Sequence, residues 1–278
     1  MDYVKPVDVV KTMVEAGWTK LSLSPRDLLI RGGLSGALLG TATSFAFTAA
    51  VTTGQPLVGA LIFPVGFVMI VILGLELVTG SFALLPLANL EGRASIASVV
   101  ANWGWVFLGN LFGSVAYGVL VAIALSNFWQ TEPSGVAARI IAVAEAKTIG
   151  YQALGVAGMI TVFVKAILCN WLVCLGVVMA MTSSSTIGKI LGAWLPISIF
   201  FAQGFEHTVV NMFIIPTGIM LGAKVSVSQW WFWNQIPATI GNLVGGFAFT
   251  GLALYSTYRP ASAAEPISDA SALKIAAE

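Results

Sequence analysis

Charged residues are scarce in this chain, and their scarcity sets its class. Asp, Glu, Lys and Arg together make up 9% of the 278 residues, whereas 58% are hydrophobic. A composition this apolar excludes a soluble domain and is typical of a polytopic helical membrane protein. The net charge of +1 gives no indication of a nucleic-acid partner.

Histidine occurs once and cysteine twice, which limits the available chemistry. A lone histidine without clustered cysteines or carboxylates predicts no metal site, and no motif predicts a cofactor. Cys169 and Cys174 lie five residues apart in one apolar run, on different helix faces, so we expect small core residues rather than a disulfide. The first 25 residues lack the apolar core of a signal peptide, so no cleavable signal is expected.

Apolar runs long enough to cross a membrane as helices recur along the chain. Six spans are predicted, which makes residues 1–258 a single all-α transmembrane domain. The predicted spans are 29–51, 56–90, 98–126, 155–182, 187–221 and 232–256. Breaks are predicted in the second span at 77–81 and in the fifth at 204–207, where polar residues and glycine interrupt the apolar run.

Three segments lie outside these spans. Residues 1–25 carry an amphipathic pattern that includes Val9 and Met13, so we expect a helix on the membrane surface or against a neighbouring subunit. Residues 127–150 are interpreted as a polar connector, and residues 259–278 as a flexible tail. If the N-terminus faces the inside, the segments on the inside of the membrane hold nine Lys and Arg residues and those on the outside hold three. This excess predicts that both termini face the inside.

The chain contains an internal repeat. Three motifs recur at a nearly constant offset. Asn102-x6-Gly109-Asn110 matches Asn234-x6-Gly241-Asn242 at an offset of 132 residues (234 − 102), and Gly74-Leu-Glu76 matches Gly204-Phe-Glu206 at 130 (204 − 74). Arg31-x2-Leu34 loosely matches Lys165-x2-Leu168 at 134 (165 − 31). The repeats cover 29–126 and 155–256, and each has three spans. An odd number of spans predicts an inverted 3+3 arrangement, in which the two broken helices face a shared path.

The fifth span holds the strongest candidate site. His207, the single histidine, follows Gly204 and Glu206 and precedes Asn211 by one turn. Ionisable groups at membrane depth are costly and usually line a cavity or a transport path. The alternatives are a glycine-kinked packing defect and a histidine whose hydrogen bonds are satisfied in the core.

The first break offers hydroxyls at Thr79 and Ser81 beside Gly80. Two half-helix N-termini aimed at one point would favour an anion. Glu76 and Glu206 occupy matched positions, and we expect each carboxylate to shape its loop by accepting backbone N–H bonds of its own break. A proton-relay role for these carboxylates is the alternative.

Arg31 and Lys189 are counted with the inside segments, so Lys165 is the one cation that belongs to neither the inside nor the outside set and falls inside a span. It either snorkels to the outer surface or attracts anions into the vestibule, and Asn170, five residues deeper, favours the second interpretation.

Apolar side chains flank both breaks. Phe63, Phe67, Leu77, Val78 and Phe200 are candidates for constrictions that bar hydrated ions. Core packing is the alternative for these phenylalanines.

Several of these motifs resemble the formate/nitrite transporter family. The resemblance rests on GFEHTVVNMFIIPTG (204–218), ILCNWLVCLG (167–176), LVTGS (77–81), NWGWVFLGN (102–110) and Gly241-Asn242-x-x-Gly245-Gly246, and it extends over about residues 5–258. It implies an aquaporin-like six-helix protomer, a homopentamer with one pore per protomer, and small monovalent anions such as formate, nitrite and hydrosulfide as substrates. It also implies roles for particular residues: His207 as the central histidine, Thr79 and Asn170 as its polar partners, and Phe63, Phe67, Leu77 and Phe200 as constriction residues.

Two features depart from that family. Bacterial members commonly carry an aromatic and then Thr-Ser in the first break, where this chain has Val78 and Thr79-Gly80. Members also carry an entrance lysine before the fourth span. Lys147 resembles it locally, but by helical-turn counting it lies too far from Asn170, so Lys165 is the predicted substitute.

The predicted function is a channel for small monovalent anions of the bicarbonate, nitrite and formate class in a lipid bilayer. The resemblance also suggests the green-algal chloroplast-envelope branch, with a bacterial plasma membrane as the alternative location. A pore for neutral solutes such as water, glycerol or ammonia is the second hypothesis. A membrane enzyme is disfavoured, because no nucleophile–base pair accompanies the single histidine.

Overall fold

The computed structural model describes residues 2–259, and every regular element in that range is helical. In chain order the helices are α1 Pro6–Leu21, α2 Pro25–Thr53, α3 Pro56–Ile62, α4 Pro64–Ile72, α5 Val78–Leu90, α6 Ile96–Ser126, α7 Gly135–Ala146, α8 Ile149–Ala153, α9 Val156–Met181, α10 Thr186–Ala202, α11 Thr208–Met220, α12 Val227–Trp230, α13 Ile236–Gly246 and α14 Ala253–Tyr258. Two π-helical segments, Trp231–Gln235 and Phe247–Leu252, join the last three into one rod.

Six spans are present, as predicted. Four single helices are long and apolar enough to cross a membrane: Pro25–Thr53, Ile96–Ser126, Val156–Met181 and Val227–Tyr258. The second and fifth spans are composite, because α3 and α4 are followed by the separate helix α5, and α10 by α11. The all-α bundle with two broken spans is therefore confirmed.

The break in the second span lies earlier than predicted. The helix ends at Ile72 and restarts at Val78, so residues 73–77 form the break and the predicted 77–81 mostly belong to the first turn of α5. Gly74 explains the shift, because its positive φ of 62° ends a helix in a conformation that other residues rarely adopt. Gly204 has a φ of 63° and ends α10 in the same way, within the predicted break.

Close helix pairs support both broken spans. Helix α2 packs on α6, and α9 packs on α13, through glycines that let the backbones approach. A Cβ on Gly113 would lie 1.8 Å from the carbonyl oxygen of Gly33, and a Cβ on Gly245 would lie 2.2 Å from that of Ile167. Gly113 and Gly245 are repeat partners, so both halves use the same packing device.

The connector 127–150 is not simply a polar loop, as the sequence suggested. It contains α7, which buries Ala137, Ile140 and Ala144. Helix α7 was missed in the sequence because polar residues flank its alanine-rich segment. Ala144 lies directly over Gly218 of α11, where a Cβ would be 2.5 Å from that of Ala144.

Helix α1 packs on its own chain, rather than only on the membrane or a neighbouring subunit as expected. It buries Val9, Val10 and Met13. Gly17 allows it to approach α5 so closely that a Cβ there would lie 2.4 Å from the carbonyl oxygen of Leu84. Helix α1 precedes the first span and α7 the fourth, so each half of the molecule begins with a surface helix.

Contacts between the loops show which segments share one end of the bundle. Asp2 binds the 183–185 loop, Glu15 pairs with Arg93, and Arg259 pairs with Glu91. These segments are the ones predicted to share the inside face. That both termini face inside stays a prediction. The predicted flexible tail lies outside the described residues, except for Arg259.

Candidate functional site

The two breaks meet at a contact between His207 and Thr79. The Nε2 atom of His207 lies 3.0 Å from Oγ1 of Thr79, and both residues are buried. His207 is the N-cap of α11, and Thr79 lies in the first turn of α5. The N-termini of two half-helices, each carrying partial positive charge, therefore converge on one point.

The histidine ring also caps its own helix. Its Nδ1 accepts a hydrogen bond of 3.2 Å from the backbone N–H of Val210. A nitrogen that accepts a hydrogen bond carries no proton, so the proton of the neutral ring sits on Nε2. In this arrangement Nε2 donates to Thr79. Leu77 occupies the equivalent N-cap of α5, where no side-chain cap bond exists.

Asn170 and Cys174 fix the backbone at Thr79. The Nδ2 of Asn170 donates to the carbonyl oxygen of Thr79 at 3.0 Å, and the Cys174 thiol donates to the same oxygen at 3.3 Å. Asn170 also donates to the carbonyl oxygen of Asn242 at 2.6 Å. Its own Oδ1 is buried without a partner among residues 2–259. Asn170 thus binds the backbone of Thr79, and no hydrogen bond within residues 2–259 joins it to His207.

Two asparagines, not the two glutamates, hold the broken loops. Asn242 accepts from the N–H of Thr208 at 2.8 Å and donates to the carbonyl oxygen of Glu206 at 2.8 Å. It therefore clamps the peptide groups on both sides of His207. Asn110 makes the same bonds at the other break, with the Val78 N–H and the Glu76 carbonyl oxygen, both at 3.0 Å.

The prediction that Glu76 and Glu206 bind their own backbone N–H groups is therefore wrong. An amide side chain can accept from one peptide group and donate to the next, whereas a carboxylate can only accept. The glutamates instead pair with lysines. Glu76 binds the Nζ of Lys20 at 2.8 and 2.9 Å, and Glu206 binds the Nζ of Lys147 at 2.8 Å.

The buried Glu206 carboxylate has further partners. It accepts from the Tyr151 hydroxyl at 2.7 Å, from Asn211 at 2.8 Å and from Asn234 at 3.0 Å. Asn211, a predicted loop-shaping residue, donates to both Glu206 and Asn234, at 2.8 Å from each. A buried charge needs such a set of donors to remain ionised.

The lysine–glutamate pairs extend the internal repeat. Asn102 donates to the carbonyl oxygen of Lys20 at 2.9 Å, and Asn234 donates to that of Lys147 at 3.0 Å. Lys20 and Lys147 are 127 residues apart (147 − 20), close to the offset of the other repeated motifs. Sequence reasoning missed Lys20 and the roles of the four asparagines. The repeat itself, in which these asparagines are matched, was the available signal.

The prediction that Lys147 lies too far from the site is also wrong. It counted helical turns back from Asn170, but α9 begins only at Val156. Gly155, with a φ of 56°, turns the chain before α9, and Lys147, the residue that ends α7, contacts Glu206. The predicted substitute, Lys165, lies partly buried with its Nζ 5.8 Å from the centre of the Tyr151 ring.

Two cavities approach the centre from opposite ends. The larger, about 510 Å³, is lined by residues that include Lys147, Phe200 and Gly204. The smaller, about 220 Å³, is lined by residues that include Lys20 and Gly80. We call them the Lys147 vestibule and the Lys20 vestibule.

The predicted constriction residues divide between the vestibules. Phe200 lies in the wall of the Lys147 vestibule and stacks on His207 at 5.7 Å between ring centres. Phe63 is fully buried and packs edge-on against Phe200 at 5.6 Å. Phe67 and Leu77 lie in the wall of the Lys20 vestibule. Phe63 and Val78 line neither vestibule.

Comparison with known proteins matches the whole membrane domain. The family model described as formate/nitrite transporter matches residues 7–256. A probable formate transporter of Methanothermobacter thermautotrophicus is 43% identical over 215 residues, which is 73% of this chain and 75% of that protein.

Two solved structures share the fold. An FNT family ion channel has a TM-score of 0.77 at 25% identity, over 90% of this chain and 98% of that one. A pentameric formate channel with formate bound has a TM-score of 0.69 at 25% identity, over 84% and 97%. The chain is therefore an integral membrane transport protein, not an enzyme, and it belongs to the formate/nitrite transporter family.

Proposed function

We propose that this chain forms a channel for small monovalent anions of the formate and nitrite class. The contact between His207 and Thr79 carries the proposal, because it lies between the two vestibules where two helix N-termini converge. Stripping water from an anion costs many kcal/mol unless the site supplies hydrogen-bond donors and positive potential. The Nε2–H group, the Thr79 hydroxyl and the half-helix N-termini are the available donors.

The hydrogen bond at Nδ1 limits how His207 handles protons. A doubly protonated ring would place two N–H groups face to face at Val210, so proton transfer to an anion has to be coupled to loss of that cap. The resting geometry thus supports passage of an anion that accepts a bond from a neutral ring. Transient protonation of the anion is a second step that requires the ring to turn.

The lysine–glutamate pairs bring charge to both sides without a large net potential. Lys147 is paired with Glu206, and Lys20 with Glu76, so each pair is close to neutral. We propose that each lysine polarises its vestibule and that its glutamate prevents tight anion binding. A channel needs sites that anions enter easily and leave easily.

The similarity to a pentameric formate channel supports a homopentamer with one path per protomer. Bicarbonate as a substrate, the chloroplast envelope or bacterial plasma membrane as the location, and the inside orientation of both termini stay predictions. The similarity to formate transporters favours formate as the first anion to assay.

Two substitutions of His207 test the proposal in proteoliposomes with an imposed membrane potential. His207→Asn keeps an N-cap acceptor for Val210 but removes the imidazole, whereas His207→Phe removes both. We expect both variants to lose most formate flux, because neither supplies the Nε2–H donor. If His207→Asn conducts formate like the wild type, His207 is only a helix cap and the mechanism fails. Solute flux in the wild type that is indifferent to membrane potential and to competing anions would instead establish the neutral pore.

A further inference from the structure

The Lys147 vestibule has one wall made by a single helix face. Arg139, Val143 and Lys147 follow one another at intervals of four residues along and just beyond α7, and all three line the cavity. Residues four apart on a helix lie on the same face. This face leads from exposed Arg139 inward to Lys147, which contacts Glu206.

Arg139 is the uncompensated charge of that wall. The charge of Lys147 is balanced by Glu206 at 2.8 Å, whereas no carboxylate in residues 2–259 lies within ion-pair distance of Arg139. Arg93 and Arg259, by contrast, each pair with a glutamate. The Arg139 guanidinium instead lies over the ring of Phe47, 5.9 Å from its centre, and Phe47 also lines the cavity.

An arginine held over an aromatic ring presents its N–H groups in a fixed plane. That fork matches anions with two oxygens on one atom, which accept two parallel hydrogen bonds, and a lysine cannot reproduce it. Formate and nitrite have this shape, and hydrosulfide does not. The Phe47 ring supplies an apolar surface beneath the guanidinium.

We propose that Arg139 and Phe47 form an anion-capturing subsite at the mouth of the Lys147 vestibule, selective for planar anions with two oxygens. The inference rests on the proposed channel function and names the anion class that this entrance prefers. The subsite serves one entrance only. With the offset of 127 residues that relates Lys147 to Lys20, the position equivalent to Arg139 is Thr12, which has no charge (139 − 127 = 12).

The test compares Arg139→Lys with Arg139→Gln in proteoliposomes. If the fork matters, both variants raise the half-saturating formate concentration about tenfold, which corresponds to about 1.4 kcal/mol of lost binding. If charge alone matters, Arg139→Lys behaves like the wild type, and the selective subsite is refuted. An unchanged value in both variants refutes it as well.

Three further measurements make the result specific. Nitrite should respond as formate does, whereas the half-saturation for hydrosulfide should rise in Arg139→Gln but not in Arg139→Lys. If Arg139→Lys raises the half-saturating concentration of hydrosulfide as much as that of formate, the shape selectivity is overturned. The matched control is Arg93→Lys, at the opposite end of the bundle, which should leave formate saturation unchanged. A wild-type protein without anion flux would overturn the proposed function itself, and is thereby distinguished from failure of the subsite.

Discussion

Replacing Asn242 by leucine tests the claim that an amide side chain holds the histidine break. The Asn242 side chain is the sole hydrogen-bond partner, within residues 2–259, of the Thr208 N–H and the Glu206 carbonyl oxygen. These two groups belong to the peptide units on either side of His207. Leucine has a similar volume, so the substitution removes hydrogen bonds without leaving a large cavity.

The expected cost follows from the number of stranded groups. A buried polar group without a partner costs about 1–3 kcal/mol, so two such groups predict a loss of about 2–6 kcal/mol in the free energy of unfolding. Water from a vestibule can reach part of the break, which favours the lower half of that range. Loss of the clamp should also let the His207 ring turn away from Thr79 and thereby reduce anion flux.

Two measurements on the same purified protein check this prediction. Thermal unfolding followed by tryptophan fluorescence reports stability, and formate flux in proteoliposomes reports function. Asn110→Leu should destabilise the protein similarly, because Asn110 makes the same bonds at the other break. Asn89→Leu is the control: its side chain bonds only the carbonyl oxygen of Ala94, outside the pore, and should cost about 1 kcal/mol. A wild-type melting temperature and flux in Asn242→Leu would refute the reasoning.

Two further predictions concern charged groups. Lys147→Met leaves the buried Glu206 carboxylate without its cation and should destabilise the protein by about 3–5 kcal/mol. Adding Glu206→Gln should recover much of that loss, because it removes the unpaired charge. Equal stability of the single and double variants in thermal unfolding would contradict the pairing. Hydrogen bonds from residues 183–185, Ser183 foremost, hold the pKa of the Asp2 carboxyl below its ordinary value of 3.8. Because the docked chain favours the ionised form, docking should be complete above about pH 4 and lost as the pH falls further. Amide exchange at 183–185 measures this, and unchanged protection in Asp2→Ala at neutral pH would contradict it.

The sequence predicted the broken spans because the signals were local. Gly74 and Gly204 each end a helix, and polar residues follow within an apolar run. The position of the first break was misjudged because Thr79 and Gly80 look like loop residues. Thr79 and Gly80 can also occupy the first turn of a helix, as they do in α5. The end of α4, and with it the start of the break, is set by Gly74.

The lysine at the vestibule was misjudged for a different reason. Its distance from Asn170 was counted along one continuous helix, but the chain turns at Gly155 before α9 begins. A turn of this kind changes the direction of the chain, so separation in sequence no longer measures separation in space. Contact with Glu206 could be recognised only once the fold was known.

The amino-acid sequence by itself determined the class, the six spans, the repeat and the single histidine between two breaks. These follow from the apolar content, from helix-ending glycines and from recurring motifs, which are all local or periodic properties of a chain. The tertiary structure alone decided which side chains satisfy the broken backbone. Asn110 and Asn242 reach the breaks from helices 32 to 36 residues away along the chain. Such pairings depend on how closely glycines let helices approach, and that distance is a property of the packed bundle.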